Sequence, residues 1–228
     1  MSPNLRQTTI FAALVTVLAG YFLVWLPNEA AGLSFIGLEM AEQAKFLPQV
    51  RSGAIVPGRS LFYAPPITIA LILILMSSCW PSSRWQTWSI RLIAAGISVL
   101  AFPAYEALGT EAAEWLWRVL AIGLVFVLAI LSPFLGRLPI RARWALIGFV
   151  AVCGALLPGW VLLEVRAAFA SLQRISLGIG VGYWLNLGGL MMIAALAFYA
   201  MLRSSTIRAV AANVEDRSSQ EALPRRPR

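Results

Sequence analysis

Six apolar runs decide the solvent in which this chain folds. They cover residues 8–26, 61–79, 88–106, 114–135, 144–163 and about 180–202. Each approaches the roughly 20 residues that a helix rising about 1.5 Å per residue needs to cross about 30 Å of hydrocarbon. Only 12% of the residues are charged and the mean hydropathy is +0.78. The expected fold is an all-α integral membrane protein, a bundle of six transmembrane helices. Residues 1–202 would form the membrane domain and 203–228 a basic cytoplasmic tail, disordered toward its end. With six spans in 228 residues, a separate soluble domain has no room. The first run is longer than the roughly 7–15 residues of a secretory signal core. It is followed by Asn28 and Ala30 where small residues would be cleaved, so it reads as an uncleaved anchor.

The net charge of +8 invites a nucleic-acid reading, but its distribution follows the membrane instead. With both termini inside, the inner segments hold twelve of the 18 cations, among them Arg6, Arg84, Arg91, Arg137, Arg141, Arg143 and Arg203. The outer segments hold Lys45, Arg51, Arg59, Arg118, Arg166 and Arg174, together with seven of the 10 acids. The short loop with Arg137, Arg141 and Arg143 weighs most, because cations in short loops set orientation. Tryptophans give a second signal, since indole rings favour the headgroup level. Trp25, Trp115, Trp117, Trp160 and Trp184 fall at expected outer ends, and Trp80, Trp85, Trp88 and Trp144 at inner ones. Lys45 is the only lysine. That arginine bias is associated with GC-rich bacterial genomes and places the chain in a bacterial cytoplasmic (inner) membrane. No nucleic-acid partner is expected.

Between the first two runs, residues 33–47 set Ile36, Met40, Ala44 and Leu47 along one helical stripe. Pro48 ends the pattern, which predicts a short amphipathic surface helix in the first outer loop. Residues 164–179 repeat a weaker version with Val165, Ala168, Phe169 and Leu172. Pro103 and Pro158 are expected to kink or end their helices near the outer face. Cys79 and Cys153 would sit at different depths, as two small buried thiols rather than a disulfide.

Absences carry the strongest functional information. There is no histidine, and Asp216 is the only aspartate. Histidine-ligated haem, His-metal protease sites and Ser-His proteolysis each lack a required residue. A two-aspartate protease and an Asp-rich metal site cannot be assembled either. There is no P-loop, dinucleotide fingerprint or CxxC. No cofactor and no metal are expected, and the chain leans away from being an enzyme.

Two groups of residues stand out. Gly178, Gly182, Asn186 and Gly189 form a small-residue stripe entering the sixth run, and Ala151 and Ala155, with Gly148 and Gly159, form one in the fifth. Small residues let helices approach closely, and a buried amide can hydrogen-bond across the contact. Packing of the last two spans against each other is the expectation, with an unwound, substrate-lining segment the alternative. Glu106, Glu114, Arg118 and Glu164 form a possible outer-face charge cluster, with Glu114 and Arg118 spaced for an i,i+4 pair. Interfacial charges that snorkel or pair are the simpler account, as for Arg91 near the inner face. These features point first to a non-catalytic subunit or scaffold of a membrane complex. Its partners would be the bilayer and other membrane subunits or a second copy. A permease, or permease component, for a small neutral solute is the alternative.

Overall fold

The computed structural model describes residues 2–28, 33–55, 58–103, 112–174 and 176–221. The chain is predominantly helical. Among the described residues, five helices are long and apolar enough to cross a membrane: Asn4–Phe22, Arg59–Ser77, Trp115–Leu135, Ile140–Leu172 and Val181–Ser204. Their outward faces carry large apolar side chains, such as Leu120 (63% exposed), Ile130 (66%) and Phe149 (67%). A broad apolar exterior of this kind marks a lipid-facing surface. This is a membrane protein.

The chain opens with α1 (Pro3–Phe22), capped by the Ser2 hydroxyl, which accepts from the Leu5 N–H. The helix ends at Phe22, and the chain turns extended as β1 (Val24–Asn28). The expected span of 8–26 is therefore displaced toward the N-terminus, to Asn4–Phe22. Pro27 disfavours helical geometry in the residue before it, and Val24 and Trp25 suit a strand. β1 pairs antiparallel with β2 (Leu33–Ile36), Leu26 opposite Phe35. Residues 29–32, between the two strands, lie outside the described residues.

The predicted surface helix over 33–47 is corrected by this hairpin. Only α2 (Met40–Ala44) is α-helical in the segment, and α3 (Pro48–Arg51) follows it. Gly37 explains the interruption, because a Cβ there would lie 2.7 Å from the Trp25 indole. The apolar stripe was read on the right residues, since Met40, Ala44 and Leu47 are buried. They fill the end of the bundle instead of resting on lipid.

A 3-10 turn (Arg59–Tyr63) leads into α4 (Ala64–Ser77). α5 (Trp85–Ser98) continues through a 3-10 turn to Ala101, and then come α6 (Ala112–Leu135), α7 (Ile140–Gln173) and α8 (Val181–Glu221). α4 is the central rod. Its spanning window is 83% buried, against 28% for the more hydropathic window of α6. α5 and α6 pack against one side of it, and α1 and α7 against the other. α8 closes the bundle against α1 and α7.

Contacts at the two ends fix the helix directions. The Arg143 guanidinium reaches Cys79 at the end of α4, and Arg141 donates to the Ser204 carbonyl of α8. At the opposite end Trp117 donates to the Ser60 hydroxyl. α5 joins these ends: Arg91 lies beside Ser82, while the Ala101 carbonyl meets Arg118.

Other expectations are revised. α7 continues through Pro158 and ends only where Arg174 takes a left-handed conformation, so 164–173 is helix rather than loop. Its outer turns stand on the hairpin, with Val165 buried and Phe169 stacked on Phe35. α8 runs on to Glu221, making the first part of the tail helical. Cys79 is exposed and Cys153 half-buried, both free. Arg91 is 1% exposed, and its side chain reaches back toward the start of α5, where it bonds Ser82 and lies over the Trp88 ring.

Trp25, just past the end of α1, packs inside the protein. It is fully buried, edge-on to Tyr21, Phe62 and Tyr183, and its indole N–H donates to the Gly20 carbonyl. Trp25→Phe keeps the aromatic packing and deletes that bond. It is expected to lower stability by about 1 kcal/mol, read from thermal unfolding in detergent.

Candidate functional site

The Gly182–Asn186–Gly189 stripe faces α1, not α7. A Cβ at Gly182 would lie 2.6 Å from the Leu23 carbonyl oxygen and 2.7 Å from that of Gly20. One at Gly189 would meet Val17 at 2.6 Å and the Ala13 carbonyl oxygen at 3.0 Å. Asn186 is buried between them, and its Nδ2 donates to the Val17 carbonyl at 3.2 Å. The amide therefore ties the two helices together where they approach most closely.

Gly178 does not belong to the stripe. It precedes α8 in an extended segment beside Pro27, so Gly178 and Gly182 share no helical face. The adjoining Gly180 N–H donates to the Trp25 carbonyl at 2.7 Å, laying this segment along β1. α7 does pack on α8, as expected, but through other residues of α8. Gly148 faces Ala197, and Gly159 makes room for the Tyr183 hydroxyl. Ala151 and Ala155 are buried in the core, and the neighbouring Gly154 faces Thr68 of α4.

At the end of the bundle where α4 and α6 begin, the four charges expected to cluster do not come together as read. Glu106 lies outside the described residues, as does the Glu114 side chain. Glu164 is exposed on α7. Arg118 alone enters a polar cluster, and its partners come from far away in sequence. It is 6% exposed, its Nε donates to the Ala101 carbonyl at 2.8 Å, and its guanidinium lies 3.6 Å above the centre of the Tyr63 ring. The Tyr63 hydroxyl donates to Glu42 at 3.0 Å. Glu42 also pairs at 3.8 Å with both Lys45 and Arg59. Arg59 donates to the Ala41 carbonyl, which anchors α2.

Arg118, Tyr63, Glu42 and Arg59 thus clamp the α2 segment onto the starts of α4 and α6. Sequence reasoning missed Tyr63, Glu42 and Arg59 as members. The acid and Lys45 looked like the wet face of a surface helix, and an aromatic partner for Arg118 leaves no spacing signal. Glu42 is half exposed and encircled by cations, so the clamp can hold structure but presents no free general base. Among the described residues, no group of three His, Cys, Asp or Glu side chains could hold a metal ion.

No family model matches the chain, and no curated protein or solved structure matches it.

Proposed function

We propose that the chain is a non-catalytic subunit or scaffold of a membrane complex. It would cross a bacterial inner membrane six times, with both termini cytoplasmic. One observation carries the reading. The polar group best suited to line a substrate path, the Asn186 amide, is spent on the Val17 carbonyl, and the glycines beside it are filled by α1. The centre of the bundle is occupied by α4, which is buried almost all round. These contacts make a rigid platform, and neither leaves the unwound backbone that a midplane transport site uses.

The sixth crossing is α5 with its 3-10 extension. Fourteen α-helical and three 3-10 residues rise about 27 Å together, close to the hydrocarbon thickness. Their two ends sit beside Ser82 and Arg118, at opposite ends of the bundle. The orientation is supported by the arginines gathered at the Arg143 end. Thiol labelling tests it: a membrane-impermeant reagent is expected to reach Cys79 only after permeabilisation. Labelling of intact cells would reverse the topology.

Affinity purification of the tagged chain in mild detergent, with mass spectrometry, is expected to recover a stoichiometric membrane partner. Asn186→Leu is the companion test. It should cost about 1 kcal/mol of stability, without changing uptake of any small solute by the cells that make the protein. A lone monomer whose solute uptake disappears in a folded Asn186→Leu variant would replace this reading with a permease.

A further inference from the structure

We infer that the inner end of the bundle holds a binding site for a phosphate-bearing anion with an apolar tail. This goes beyond the scaffold reading and does not depend on it. A cavity of about 270 Å³ opens between the starts of α1 and α7 and the end of α4. A single water needs only about 10–15 Å³ of such volume, so the cavity admits a much larger guest. Arg6, Arg143, Asn4 and Gln7 supply its polar wall. Met76, Ile140, Trp144 and Ile147 supply an apolar one. No carboxylate is among the residues that line it.

Three features converge on an anion. First, the Nε atoms of Arg6 and Arg143 are shielded from solvent and have no hydrogen-bond partner. A buried, unpaired guanidinium N–H is a donor awaiting an acceptor, and arginine matches phosphate oxygens with paired donors. Second, the Arg6 guanidinium is held 4.4 Å above the Trp144 ring. The Arg143 guanidinium is held by Cys79, its Nη1 lying 2.7 Å from the sulfur. Both cations are therefore positioned before a ligand arrives. Third, two long helices begin at the rim. Neither α1 nor α7 has an acidic residue in its first turn, and α7 follows Pro139 without a side-chain cap. The uncapped start of α7 adds its unpaired N–H groups, and both helix starts add partial positive charge, to the field of the two arginines; α1 itself is capped by Ser2. The apolar wall beside this charge suits a phospholipid whose headgroup enters the cavity while its chains remain in the leaflet. A free phosphate carries the same recognisable oxygens.

Cys79 lines the cavity and is exposed, so it reports occupancy. The full chain with Cys153→Ser would be placed in nanodiscs, and the rate of Cys79 reaction with a neutral maleimide measured. Three conditions are compared: a neutral, phosphate-free galactolipid alone, equal parts galactolipid and phosphatidylglycerol, and galactolipid with inorganic phosphate in solution. Phosphatidylglycerol is expected to slow labelling about tenfold when it exceeds its dissociation constant about tenfold. Slowing by the lipid alone identifies a headgroup site, and slowing by inorganic phosphate identifies a site open to the free anion. Both support the inference. The effect should vanish in Arg6→Gln/Arg143→Gln, scored as the ratio of rates within each variant. Gln7→Glu is the second variant. It keeps both arginines and fills their donors with a built-in carboxylate, so it should abolish protection in a folded protein. Equal rates in all three conditions would overturn the inference, as would protection that persists in both variants.

Discussion

Gly182→Ala is expected to lower the stability of the folded chain by about 1–3 kcal/mol, while Gly188→Ala, six residues further along α8, lowers it not at all. A new Cβ at 182 would stand 2.6 Å from the Leu23 oxygen and 2.7 Å from the Gly20 oxygen. Both obstacles are backbone, so no side-chain rotation relieves the clash. α1 has to move away from α8, and the 3.2 Å bond from Asn186 to Val17, one turn up the same face, lengthens with it. Apolar helices gain no hydrophobic driving force from meeting each other in lipid, so close approach carries much of the contact energy. At Gly188 a Cβ meets nothing within 4 Å. There the substitution should add up to about 1 kcal/mol through helix propensity. Gly20→Ala attacks the same contact from the other helix, its Cβ lying 2.7 Å from the Gly182 oxygen. The Gly20/Gly182 double variant should therefore cost less than the sum of the singles. Unfolding titrations in mixed micelles measure all four proteins. Equal stability of Gly182→Ala and Gly188→Ala would remove the α1–α8 contact from this account.

That contact marks the boundary of what the chain discloses about itself. Hydrocarbon imposes a length on each helix, so apolar runs locate α1, α4, α6, α7 and α8 to within a few residues at most of their membrane ends. It imposes no neighbour. Asn186 and its glycines were legible as a packing stripe, but small residues on α7 made an equally good partner, and only the assembled bundle assigns the stripe to α1. The hairpin was hidden for a different reason. Val24, Trp25 and Leu26 are as apolar as the helix before them, and hydropathy does not distinguish an extended apolar segment from a helical one. Pro27 and Gly37 were the available signals, a helix stop and a site of close approach to Trp25. The two cysteines were misjudged because depth along a helix says little about which way it faces.

Arg118→Ala is expected to cost roughly 2–5 kcal/mol, the sum of a charged hydrogen bond and a partly desolvated cation–ring contact. The Ala101 carbonyl loses its donor at 2.8 Å, and the Tyr63 ring loses the cation 3.6 Å above it. Tyr63 also holds Glu42, which pairs with Arg59, so the loss should spread into the 40–63 segment as faster proteolysis there. Arg118→Lys restores the charge but not the flat surface or the fixed Nε donor, so it should recover less than half of the loss. The i,i+4 spacing of Glu114 and Arg118 offers a rival explanation, worth only about 0.2–0.5 kcal/mol in a helix. The two separate cleanly. If the long-range clamp is the anchor, Glu114→Ala leaves stability and cleavage near wild type, and Tyr63→Leu reproduces most of the Arg118→Ala effect. If Glu114→Ala reproduces it and Tyr63→Leu does not, Arg118 serves its own helix, and the α2 segment is held by something other than this clamp.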